Sequence, residues 1–187
     1  MALVSLNEYK DYKGIASDAN TSKLVLIIDS VDAYIKSICN RTFTDFYSSN
    51  KTVYVDGNTR EIFLKEIPIV SIVSVKVSYD SMVTSTTLVA GTDYVATEDS
   101  IQSLPGNFIS TENRIRNMEV VYTGGYTTAT IPSDLKLATL DLVDYYYKED
   151  FTPRLTGMGG SRTNTIITRN PPVIPTYISR VLNNYIV

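Results

Sequence analysis

The sequence predicts an α+β fold, with a small helical body, an inserted antiparallel β region and an extended C-terminal arm. Three observations predict it. Apolar residues recur at helical spacing over 24–38 and again over 131–150. Between 52 and 123 the period changes to two, with turn residues separating the runs. After Asp150 regularity fails, and Gly, Pro, Thr and Arg prevail until a last apolar stripe at 177–185. With 187 residues, one good core is expected and two would be cramped, so the division is a body at 1–150 and an arm at 151–187.

The body holds helices at about 5–13, 21–39 and 132–148. Ser5 followed by Glu8 is a capping-box pattern, and Gly14 ends that first helix. In the second, Leu24, Ile27, Ile28, Val31, Tyr34, Ile35 and Ile38 make one stripe, with Lys23, Asp29, Asp32 and Lys36 largely opposite. Its β-branched content is high for a helix, so burial rather than propensity must hold it. Cys39 reads as a buried small side chain. In the third helix Pro132 fits the first turn, and Ser133 or Asp134 offers a cap. Leu135, Ala138, Leu142 and Tyr146 form one stripe and Leu137, Leu140, Val143 and Tyr147 another. A helix that apolar is either central in a core or packed between a core and a neighbouring subunit. Tyr145, Tyr146 and Tyr147 cannot all face inward.

Strands are expected at 52–55 and 60–64, joined as a hairpin through Asp56-Gly57-Asn58. Pro68 marks an edge or bend. Another strand runs from Ile69 to Ser78, with Val73, Val75 and Val77 on one face. Thr86–Val89 and Asp93–Ala96 flank Gly91, and Met118–Thr123 is the last clear strand, closed by Gly124-Gly125. Residues 98–113 read as a polar loop. Beyond Asp150, Gly157, Gly159 and Gly160 read as a flexible linker rather than a phosphate-binding loop, because no Lys follows the glycines. Ile166-Ile167 offers a short strand. Pro171, Pro172 and Pro175 impose extended backbone, and Tyr177, Ile178, Val181, Leu182 and Tyr185 make a short helix with one apolar face. That helix either docks on a partner or folds back on its own domain.

The composition excludes much chemistry. Zero His removes the commonest general base and metal ligand, and one Cys excludes a disulfide and thiolate clusters. The pairs Asp29/Asp32 and Asp141/Asp144 are explained more simply by solvated helix faces than by catalysis. No cofactor, metal or enzymatic activity is expected. Neither a signal peptide nor a membrane span is expected, which predicts synthesis in the cytoplasm and no membrane partner. Net charge is -3, but all four charged side chains after Asp150 are arginines, so a +4 arm follows a −7 body. Such an arm suits docking on an acidic surface, or it merely solubilises an irregular tail. The 14 tyrosines suit interfaces.

The chain resembles the head–tail connector proteins of tailed bacteriophages, also called adaptor or head completion proteins. The resemblance starts with Val4-Ser5-Leu6-Asn7-Glu8-Tyr9-Lys10-Asp11-Tyr12 and continues through the helix at 24–38 to Ile38-Cys39-Asn40-Arg41-Thr42-Phe43. Pro68-Ile69-Val70-Ser71-Ile72, Val75, Tyr79-Asp80 and Gly91-Thr92-Asp93-Tyr94 resemble the middle strands. Most specific are Val120-Val121-Tyr122-Thr123-Gly124-Gly125-Tyr126, Ile131-Pro132-Ser133-Asp134-Leu135-Lys136 and Leu140 to Tyr147. The resemblance implies a neck subunit of the virion, in a ring of about twelve seated beneath the portal protein, facing a stopper or tail completion protein. Genomic double-stranded DNA would pass through the channel without sequence readout. Tyr34, Leu142, Tyr145, Tyr146 and Tyr147 are then the candidate subunit interface. Arg154, Arg162, Arg169, Tyr177, Ile178, Arg180, Val181, Leu182 and Tyr185 are the candidate portal-docking residues. The competing reading is an interaction module of some other assembly with a tethered docking helix.

Overall fold

The computed structural model describes residues 2–16, 20–56, 59–78, 83–104, 106, 108, 116–151 and 174–187, with only the backbone of Glu149, Asp150 and Phe151. The chain divides into a helical unit, residues 2–39 with 132–186, and a β unit, residues 40–131.

In the helical unit α1 spans Leu6–Lys13, α2 Thr21–Cys39, α3 Ser133–Phe151 and α4 Thr176–Asn183. The predicted capping box of α1 is present: Ser5 Oγ accepts the Glu8 N–H, and the Glu8 carboxylate accepts the Ser5 N–H at 2.7 Å. Gly14 closes the helix at φ 66°, a left-handed conformation that suits glycine. On α2, Leu24, Ile28, Val31, Ile35 and Cys39 are buried, while Lys36 meets Asp32 one turn away at 3.1 Å. On α3, Leu135, Ala138, Leu140, Leu142 and Val143 are buried, but Leu137 faces out. The C-terminal helix does not stand apart as an arm. It packs on α2 and α3, with Ile178 and Leu182 buried, so it belongs to the helical unit and not to a separate segment 151–187. The reason is burial: a short helix with one apolar face is marginal alone and gains by covering a core.

In the β unit β1 spans Lys51–Val55, β2 Glu61–Phe63, β3 Ile69–Val77, β4 Thr86–Thr87, β5 Tyr94–Ala96, β6 Ser100–Ser103 and β7 Met118–Gly124. They form two antiparallel sheets, ordered β1-β7-β3-β4 and β2-β6-β5. Val75, Val77, Met118, Val120 and Tyr122 from the first sheet meet Ile62, Tyr94 and Ile101 from the second in one core. The expected hairpin is therefore not formed: β1 pairs with β7 and β2 with β6. A local turn signal at 56–58 gives way to long-range pairing that sends Val53, Val55 and Ile62 into the same core. The loop expected at 98–113 contains β6, whose Ile101 is wholly buried. The face expected for Val73 is also corrected. The pairing shifts between Ile72 and Ser74, which makes Val73 the extra residue of a bulge and turns it outward while Val75 and Val77 stay inside. The strand suggested at Ile166-Ile167 lies outside the described residues.

Candidate assembly surfaces

Three of the sequence stretches that carried the resemblance, around Arg41–Phe43, Pro68 and Tyr122–Tyr126, meet in the β unit. Glu66 is buried, and its carboxylate accepts the backbone N–H groups of Thr42 and Phe43 at 3.1–3.3 Å and the Lys51 ammonium at 2.7 Å. The Glu66 N–H donates to the Tyr122 hydroxyl at 3.2 Å. Arg41 donates to the Ile67 carbonyl, and its guanidinium lies 4.6 Å from the Phe43 ring and 5.7 Å from the Tyr126 ring. Gly124 and Gly125 bring their backbone against the Glu66 and Phe43 carbonyls, where a Cβ would collide. The residues 41–43, 66–68 and 122–126 thus form one knot of buried polar groups.

A second network ties the helical unit together. The Asp144 carboxylate meets Lys13 at 3.0 Å and Lys148 at 2.8 Å, and the Tyr9 hydroxyl donates to it at 3.4 Å. Burial works against the charged form of Asp144, but hydrogen bonds from Lys148 and Lys13 prevail and hold it below the usual carboxylate range. Tyr9 is pushed well up, first by burial and then by Asp144, so it stays a neutral donor. Asp141 accepts Tyr12 at 2.7 Å and Tyr177 at 3.2 Å. Asp134 accepts Tyr185 at 2.6 Å, and Lys136 pairs with Glu8. Asp141 and Asp144 are thus partners for tyrosines and lysines.

The predicted interface residues divide. Leu142 is wholly buried in its own unit, which removes it from any surface a second copy can touch. Tyr34, Tyr145, Tyr146 and Tyr147 are half-buried. The Tyr145 and Tyr146 rings meet edge-on at 5.7 Å, and Tyr147 meets Tyr9 at 6.3 Å. Burial, then Tyr146, raises the Tyr34 hydroxyl. Of the predicted docking residues, Ile178 and Leu182 are buried within the helical unit, a correction to their role as an outward face. Tyr177 and Arg180 are exposed, Val181 and Tyr185 half-buried, and Arg154, Arg162 and Arg169 lie outside the described residues. Sequence reasoning missed Leu26, which is 67% exposed on α2, with Val25 beside it and Leu137 exposed on α3. Its signal was present: Leu26 lies off the stripe that begins at Leu24.

The family model described as head completion protein matches residues 2–186. The chain belongs to the head completion protein family. Among solved structures the fold is similar to that of a chain in the neck of an empty gene transfer agent particle computed with C6 symmetry. That match has a TM-score of 0.60 at 16% identity, covering 98% of this chain and 89% of the other. A chain in the neck of the native particle computed with C12 symmetry matches at 0.56 and 16%, covering 97% and 87%. One in the virion of the native gene transfer agent matches at 0.57 and 16%, covering 98% and 89%. No curated protein matches.

Proposed function

We propose that the protein is a structural subunit of the neck of a tailed-phage-like particle. Copies form a ring, twelve in our reading, between the portal protein and a stopper or tail completion protein. The ring completes the head and continues the DNA channel, and its site of action is the virion neck after synthesis in the host cytoplasm. The observation that carries this reading is the family match over residues 2–186, supported by a fold shared end to end with neck chains of particles computed with C6 and C12 symmetry. The −7 body suits a channel that must release DNA, because like charge suppresses sticking. Arg154, with exposed Tyr177 and Arg180, is the proposed portal contact. Half-buried Tyr34, Tyr145 and Tyr146, with exposed Leu26 and Val25, are the proposed lateral contact.

The test is the particle mass of the purified protein, alone and with its portal, followed by a map of the assembled neck. Rings that join the portal are expected. A protein that stays monomeric with the portal and is absent from the neck would overturn the proposal.

A further inference from the structure

The β unit carries a groove of about 430 Å³ between β3 and β5, lined by Ile69, Val70 and Ile72 on one side and Tyr94, Val95 and Thr97 on the other. Both walls are strand edges. β5 is the outer strand of its sheet, engaged on its outer side only at Tyr94 among the described residues, which bridges Ala90 and accepts the Gly91 N–H at 2.8 Å. β4 covers β3 only at its far end, through Lys76, Val77 and the Leu88 N–H to Val75 carbonyl bond. Among the described residues, Ser71 and Ile72 pair with β7 on one side, Val70 and Val73 are the extra residues of two bulges, and none of the four has a backbone partner on the groove side. The Ile69 N–H donates to the Glu98 carbonyl at 2.7 Å and closes one end. Val70, Val73 and Val95 are 47%, 54% and 43% exposed. Facing edges that keep part of their backbone unpaired and expose valines are a template for a short added strand. Neither Lys nor Pro interrupts residues 69–73, so the bulges at Val70 and Val73 are the one protection this edge carries.

Charge selects the occupant. No lining residue is charged, and the charges that border the groove in sequence, Asp93 and Glu98, are acidic. A complementary strand is basic, β-branched and free of acid. Arg162-Thr163-Asn164-Thr165-Ile166-Ile167-Thr168-Arg169 has this composition. Arginine stands at each end, and five of the six residues between are β-branched. Eight extended residues span roughly 26 Å at about 3.3 Å each, ample for the groove.

We propose that this groove takes Arg162–Arg169 of a second copy as an added strand. The choice of a second copy rests on the ring reading, because a strand given by each subunit to the next is a head-to-tail contact, the kind that closes a ring. It assigns Arg162 and Arg169 to the neighbouring subunit and leaves Arg154 and Arg180 for the portal.

The test uses the full-length protein and a labelled peptide of residues 161–170. Saturable binding is expected, with slowed amide exchange at Val70–Val73 and Val95–Ala96. Binding should weaken about tenfold with Val95→Arg, a substitution at an exposed site. In a mixture of Val95→Cys and Ile166→Cys single variants, an intermolecular disulfide is expected. Absence of peptide binding to the wild-type protein would overturn the groove as a strand site, whether or not rings form. Peptide binding by a protein that forms no ring would keep the groove and remove the ring reading. Crosslinking confined to single chains of the double variant, at high dilution and in the ring, would overturn the second copy as donor.

Discussion

The Lys51 ammonium lies 2.7 Å from a carboxylate oxygen of Glu66, whose side chain is wholly buried. The same carboxylate receives the Thr42 and Phe43 N–H groups, so its removal strands three donors. Breaking a buried pair from one side costs about 3–5 kcal/mol. Glu66→Ala should therefore destabilise the β unit by about that amount, and Glu66→Gln by less, because an amide oxygen still accepts. Urea denaturation of the two variants measures the difference.

The two glycines beside that carboxylate predict a second loss. A Cβ on Gly124 would strike the Glu66 carbonyl, and one on Gly125 the Phe43 carbonyl. Gly125 also sits at φ 98°, where side chains are strained. Both obstacles are backbone and cannot swing aside. Gly124→Ala and Gly125→Ala should each cost roughly 2 kcal/mol or more, seen as a drop in melting temperature.

Acid should loosen the helical unit. Asp144 is held below its ordinary value of 3.8, with burial opposing and Lys148 and Lys13 prevailing. Glu8 is also lowered, with burial again opposing and Lys136 and Ser5 prevailing. A depressed folded pKa gives stability that is present above the unfolded value and lost as pH falls through the folded one. The melting temperature should thus decline below about pH 4, and Asp144→Asn should flatten that decline while lowering stability at neutral pH. Melting curves from pH 7 to pH 2.5 on both proteins check it.

Much of this fold was legible because local chemistry and burial agree. Ser5, Glu8 and Gly14 bound α1 where the cap rules put it, and the stripe from Leu24 to Cys39 marks the buried side of α2. The failures share one cause, long-range pairing. Asp56-Gly57-Asn58 signals a hairpin, yet β1 and β2 find partners some 70 and 40 residues away. β6 has one apolar residue, Ile101, too little for a periodicity to show. The bulge at Val73 breaks an alternation that sequence alone reads as unbroken. At the candidate surfaces the tyrosines were legible as amphipathic. The burial of Leu142, Ile178 and Leu182 was not, because an apolar stripe does not say which partner covers it.

The packing of α4 predicts the outcome of a truncation. Removing everything after Asp150 takes away Ile178 and Leu182, both buried, and the Tyr177–Asp141 and Tyr185–Asp134 hydrogen bonds. Each aliphatic side chain contributes roughly 1.5–3 kcal/mol of burial. The truncated protein should show reduced helicity and a lower denaturation midpoint, so its loss of portal binding would not isolate a docking role. Arg180→Glu, at an exposed position, should keep the circular dichroism spectrum and weaken portal pull-down.

The lateral contact gives the last prediction. Leu26 is the most exposed large apolar side chain on α2, and Val25 beside it is 40% exposed. Ser30 does not offset them, because its hydroxyl is turned back to the Leu26 carbonyl at 2.7 Å. Exposed single leucines are ordinary, but this one shares its helix with Tyr34, whose hydroxyl is raised by burial and by Tyr146. If α2 meets the neighbouring subunit, an aspartate at position 26 brings an unpaired charge into each of the repeated contacts of the ring. The cost, about 1–3 kcal/mol per contact, multiplies around the ring. In the free subunit the same substitution faces water and should change stability by no more than about 0.5 kcal/mol. Leu26→Asp should therefore leave the melting temperature nearly unchanged and abolish ring formation, read as particle mass at fixed protein concentration. Rings of unaltered mass and stability from this variant would place the lateral contact away from α2.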